Sequence, residues 1–194
     1  LSSGAIAPGA AVRILPSGRT ATIAKIVTAD GDLDRAVAGQ SVTLTLTEQI
    51  DCSRGDLIAS ADSPAEIADQ FQATMIWMSD TPLYPGRRYW LKLGARTVTA
   101  TVTDLRHRID VNTLEERPAK QLSANEIGAC NLSLDAPLPF DPFDANRDTG
   151  GFILIDQMTN ETAGAGLIRF ALRRSQNVHW QSLEIDRSAH ARIK

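Results

Sequence analysis

Between residues 97 and 103 hydroxyl and apolar side chains trade places at every step. Thr97, Thr99, Thr101 and Thr103 alternate with Val98, Ala100 and Val102. A period of two puts the threonines on one side of an extended chain and the apolar groups on the other, the signature of a half-buried strand. Residues 42–47 repeat it, with Val42, Leu44 and Leu46 set against Thr43, Thr45 and Thr47. Turn signals punctuate the chain at short intervals: Pro16-Ser17-Gly18, Asp30-Gly31-Asp32, Ala38-Gly39-Gln40 and Arg54-Gly55-Asp56. Short strands between frequent turns predict a small sandwich or barrel.

The pattern breaks at Ala61-Asp62-Ser63-Pro64, where the residue before proline is pushed out of helical conformation. A domain boundary is expected there, with residues 65–71 making at most a helical turn. A second β series follows. Residues 72–78 form a strand, Tyr84-Pro85-Gly86 a turn, and residues 88–93 and 97–103 a hairpin around Gly94-Ala95. Further strands are expected over 127–134, over the fully apolar 152–155, and over 164–168, where Gly164 and Gly166 imply close backbone approach. Residues 137–144 read as a long loop with three prolines, and 110–125 as a charged connection. The fold class is therefore all-β, two tandem small barrels over 1–62 and 63–170, with a linker over 171–194.

Charge supports the same division. Residues 1–62 carry five basic and seven acidic side chains, residues 63–170 ten and fourteen, and residues 171–194 five and two. The balance moves from −2 and −4 to +3, which marks the tail as a separate segment. A formal net charge of −3 argues against a general nucleic-acid surface. Hydrophobic residues make up 43%, enough for real cores, and aromatics only 5%, so Val, Ile, Leu and Ala must fill them. No apolar run approaches the roughly 20 residues that span a bilayer. The start at Leu1-Ser2-Ser3-Gly4 lacks the basic start and apolar core of a signal peptide and a methionine, and the chain is expected to begin inside a longer one. Cys52 and Cys130 read as two free thiols of a cytoplasmic protein.

The chain holds no phosphate-binding Gly-x-x-x-x-Gly-Lys-Ser/Thr loop, no Gly-x-Ser-x-Gly elbow and no His-Glu-x-x-His helix. His107, His179 and His190 are scattered, and no local metal-ligand spacing occurs. Glu115-Glu116, with no matched nucleophile, reads as solvated carboxylates. No catalytic, cofactor-binding or metal residue is therefore assigned. Arg106-His107-Arg108, just past a strand, is either a solvated face or a contact for an acidic partner or a nucleotide phosphate. Phe140 and Phe143 either plug onto the barrel or touch a partner.

Family resemblance enters on longer motifs. Residues 4–16, Ala36-Val37-Ala38-Gly39-Gln40-Ser41-Val42 and Arg54-Gly55-Asp56-Leu57-Ile58 resemble domain 2 of the translation-factor GTPases. The second barrel narrows this. Residues 72–78, 82–87, 109–114, 122–128, 146–156 and 162–166 resemble the large, GTPase-bearing subunit of sulfate adenylyltransferase. Asn177-Val178-His179-Trp180-Gln181 and residues 187–194 are similar to the segment leading into an adenylylsulfate kinase, as in bifunctional sulfate-activation proteins.

The resemblance implies barrels like domains 2 and 3 of that superfamily. It implies a parent enzyme that couples GTP hydrolysis to adenylyl sulfate formation from ATP and sulfate, using GTP, ATP and Mg. The barrels would dock the parent's own GTPase domain and a small catalytic subunit, with no nucleic acid or membrane partner and a kinase domain beyond. No cofactor is implied for this segment, whose phosphate loops would lie on either side of it. Two rivals remain: an elongation-factor-type GTPase touching RNA, disfavoured by the acidic balance, and a free-standing β-barrel interaction module.

Overall fold

A computed structural model describes residues 1–172. Seven strands precede Ser63: β1 (Ala5–Ile6), β2 (Ala11–Leu15), β3 (Arg19–Thr28), β4 (Gly31–Leu33), β5 (Ala36–Val37), β6 (Thr43–Leu46) and β7 (Leu57–Ser60). After it come β8 (Glu66–Trp77), β9 (Arg88–Leu93), β10 (Arg96–Ile109), β11 (Glu116–Arg117) and β12 (Ile127–Phe140). The one-turn helix α1 (Arg147–Gly150), β13 (Gly151–Ile155) and β14 (Thr162–Ala171) complete the described chain.

The first group forms a curled sheet in the order β4-β3-β2-β7, with β6 also paired to β3 and a separate β1–β5 ribbon. Val12, Ala21, Ile23, Ile26 and Ala36 form its core, covered by Leu33, Leu44, Leu46 and Ile58. The second group closes on itself. Its order runs β10-β12-β8-β14-β13-β9, and β9 pairs again with β10, so six antiparallel strands make a ring. Alternation decides what faces inward: along β9, Tyr89, Leu91 and Leu93 are buried while Arg88, Trp90 and Lys92 are exposed. Along β10, Val98, Ala100 and Val102 are buried and the threonines face outward.

Aromatics carry much of the ring's interior. Phe71 packs on Phe140 and Phe152 with centroids 5.4 and 5.6 Å apart, and Trp77 meets Tyr89 edge-on at 5.6 Å. Full burial of one such side chain stabilises by roughly 1.5–3 kcal/mol. The expected close approaches are present. A Cβ added at Gly166 would sit 2.0 Å from Phe152 Cζ, and one at Gly164 2.9 Å from Trp77 Cε3.

Three expectations are corrected. Residues 66–71 are strand, not helical turn: Ile67 and Ala68 pair with Pro139 and Leu138, and this ladder overrides the local helix formers. Residues 137–140 are strand, not loop, because the register slips between Ser133 and Leu138, the irregularity absorbs Pro137, and the ladder resumes at Leu138 with Pro139 opposite Ile67. Arg106, His107 and Arg108 lie inside β10 rather than past a strand. The expected linker over 171–194 falls almost wholly outside the described residues.

Candidate partner-docking surface

The ring has two ends. At the proximal end lie the β9–β10 turn, the β12–α1 connection and the start of β13, and there it meets the first sheet. Arg96 approaches Asp56 at 3.6 Å, and Asn146 Nδ2 donates to Ser3 Oγ at 3.3 Å. Asp141 accepts from Thr149 Oγ1 at 2.7 Å, which braces the same corner. Gly55 is required here. Its φ of +98° is a left-handed conformation, and a Cβ would strike the Arg96 side chain at 2.7 Å. A cleft of about 460 Å³ follows this seam between residues 1–6 and Asn146.

Of the partner contacts expected from sequence, Phe140 is withdrawn. Its ring is fully buried against Phe71, so it is core and unavailable to another molecule. Phe143 is half-buried at the proximal end, where its N–H donates to Ile168 O at 2.8 Å. The basic cluster is answered locally by carboxylates. Arg106 lies 3.2 Å from Asp104, His107 Nε2 3.2 Å from Glu116, and Arg108 pairs with Glu126. Arg106 is its exposed member.

The distal end gathers three connections, over residues 78–87, 110–126 and 156–161. Backbone hydrogen bonds knit them together: Leu83 and Leu122 exchange N–H···O bonds at 2.8 and 3.2 Å, and Asn125 N donates to Trp77 O at 2.8 Å. Asp156 organises the third. Its Oδ1 accepts from Met158 N and Thr159 N at 2.8 and 3.2 Å, and its Oδ2 pairs with Arg87 at 2.8 Å. Those backbone N–H groups, then Arg87, hold its carboxyl below the ordinary range. The N–H groups of Asn112 and Thr113 act likewise on Asp110, and that of Ser123, then Arg108, on Glu126.

Between residues 78–81 and 158–162 opens a cleft of about 520 Å³. Met78 and Met158 line it, both exposed, together with Asp80 and Glu161. Sequence reading passed over these residues, although an apolar Met158 amid the polar turn Asp156-Gln157-Met158-Thr159-Asn160-Glu161 was a visible signal.

Burial pushes the Cys130 thiol up to about 12 and, with Asp56 adding to it, raises that of exposed Cys52. Among the described residues no group of three or more His, Cys, Asp or Glu side chains could hold a metal ion. No helix among them is long and apolar enough to cross a membrane. What the surface offers is shape, apolar contact and carboxylates.

Known proteins place this architecture. At 53% identity the whole chain aligns with 31% of a "Bifunctional enzyme CysN/CysC" from Xylella fastidiosa. At 52% it aligns with 31% of a "Bifunctional enzyme NodQ" from Azospirillum brasilense. A "Sulfate adenylyltransferase subunit 1" from Methylorubrum extorquens is 46% identical over 91% of the chain and 38% of its own length. The chain thus spans about a third of the curated relatives it matches. Among solved structures, sup35 complexed with GDP superposes with a TM-score of 0.77 over 89% of this chain and 43% of that one, and at 19% identity it shares the fold alone. The family described as "GTP-eEF1A C-terminal domain-like" matches residues 70–169, the closed ring almost from end to end, and the chain belongs to that family.

Proposed function

We propose that this chain is the non-catalytic β-barrel region of a sulfate adenylyltransferase large subunit, within a parent that couples GTP hydrolysis to adenylyl sulfate formation from ATP and sulfate. The observation that carries the reading is similarity along the full 194 residues, at 52–53% identity, to bifunctional enzymes of the CysN/CysC and NodQ type. The GTP-, ATP- and Mg-dependent chemistry belongs to the rest of that parent and to its small subunit. In such a bifunctional parent an adenylylsulfate kinase domain would follow the linker.

The working units are a first barrel over 1–62, a second over 63–170 and a linker over 171–194. In support, no strand ladder joins β1–β7 to β8–β14. The two units touch at few polar points, so the first can turn on the second when the nucleotide-binding domain changes state. They work in the cytoplasm, where two unpaired thiols are at home. In the full-length protein mixed with its small subunit, GTP is expected to accelerate adenylyl sulfate formation. A bulky change at the seam, Gly55→Val, should reduce that acceleration more than it reduces GTP hydrolysis. Full-length protein that neither hydrolyses GTP nor supports adenylyl sulfate formation would refute the assignment.

A further inference from the structure

We propose that the distal end of the second barrel is the docking surface for the small adenylyltransferase subunit, gripping a basic side chain of that subunit between Met78 and Met158. The inference rests on the functional reading above and names the surface it needs.

Apolar exposure is concentrated there. Ten large hydrophobic residues are exposed among the described residues, and five of them (Met78, Tyr84, Val111, Leu114 and Met158) lie on the three distal connections. Those connections hold 33 residues, about a fifth of the described chain. Leu114 is 76% and Met158 88% exposed, although neither position requires an apolar side chain for the barrel's own core. The first sheet does not cover them, because its contacts fall on the proximal end.

Charge selects the partner. The three connections carry seven carboxylates and three basic side chains. Most of these carboxylates are paired: Asp156 with Arg87, Asp110 and Glu115 with Arg117, Glu126 with Arg108, and Glu116 with His107. Arg87 and Asp156 also line the methionine-walled cleft and answer each other at 2.8 Å, which leaves Asp80 and Glu161, the other two carboxylates of its lining, without a side-chain partner among the described residues. A lysine or arginine fits this arrangement, its methylene stem on the two thioethers and its head on the two carboxylates. The bracing at Asp156 and Leu83–Leu122 holds the cleft open before binding, which lowers the ordering cost.

The test uses full-length protein and its small subunit, with the Kd measured by calorimetry at low and moderate salt. The charge-reversed Asp80→Lys/Glu161→Lys pair, exposed and outside the barrel core, should weaken association at least tenfold and flatten its salt dependence. Met158→Ser should weaken it several-fold, and Asp135→Lys, on the opposite part of the ring, should not. GTP hydrolysis by the large subunit alone should be unchanged in all three. Normal wild-type association with equal affinity in the cleft variants overturns this inference and leaves the functional reading intact. Failure of the wild-type subunits to associate overturns both. Variants that alter only self-association, or only GTP hydrolysis by the isolated large subunit, would assign the surface to a second copy or to the chain's own nucleotide-binding domain and also overturn it.

Discussion

Gly166 offers the sharpest test of how the ring is packed. It lies directly opposite Phe152 in the β13–β14 ladder, and a Cβ there would sit 2.0 Å from Cζ and 2.5 Å from both Cε atoms of that ring. Ordinary carbon contact is about 3.5–4.0 Å, so the ring must retreat by roughly 1.5 Å. It has little room, being buried and packed on Phe71. Overpacking of this kind costs about 1–3 kcal/mol. Gly→Ala in a strand returns about 0.5–1 kcal/mol through the unfolded chain. Gly166→Ala should therefore destabilise by about 1–2 kcal/mol and lower Tm by about 2–8 °C for a chain of this size. A cycle with Phe152→Leu isolates the cause. With the ring gone, the same glycine change should be neutral or stabilise by up to about 0.5 kcal/mol. Thermal and urea unfolding of the four proteins provides the measurement. Equal destabilisation in both backgrounds, or none in either, would refute the argument that Phe152 is what demands a glycine.

Thiol titration should find one reactive cysteine in the native chain, Cys52, and a second only in denaturant, because Cys130 is fully buried with its thiol pushed up to about 12. Asp156 has a depressed carboxyl, so its contribution is present above the ordinary carboxylate pKa and is lost as pH falls through the lower folded value. Asp156→Asn should accordingly lower Tm at neutral pH, and the difference from wild type should shrink in acid below about pH 4. Asp56→Ala breaks a partly exposed pair 3.6 Å long and removes the acceptor of the Ser53 N–H at 2.8 Å, and denaturant unfolding should register about 1–2 kcal/mol.

Much of the ring was legible because its strands obey one rule at a time. In β9 and β10 a strict alternation at once gave the strand and its buried face, and the glycines of β14 announced the close approach to Phe152 and Trp77. Residues 66–71 misled because Ala65-Glu66-Ile67-Ala68-Asp69 is locally helix-forming, and the ladder to Leu138 and Pro139 that overrides it comes from 70 residues away. Phe140 misled for the converse reason: three nearby prolines signal a loop, and only the register slip in β12 lets the strand continue. The distal surface was hidden by dispersal. Leu114 and Met158 are lone apolar residues in polar stretches, Met78 reads as the last residue of an apolar strand, and only ring closure brings their connections to one end.

Ring closure also sets how the second barrel bears a load. β8 enters at Glu66 and β14 leaves at Ala171, and these terminal strands lie side by side, antiparallel, with Ala171 opposite Phe71. Twisting or compression is shared around six strands, none of which has a free edge to start a tear. Tension between the entry and exit points meets the bonds of one ladder singly, as in a zipper, rather than all together in shear. The first to part is the Leu172 N–H to Gln70 O bond, then those at Ala171 and Phe170, and peeling then runs toward Gly166 and releases Phe152 from its seat. The same ring is stiff to a neighbour that turns against it and weak to one that draws these two ends apart.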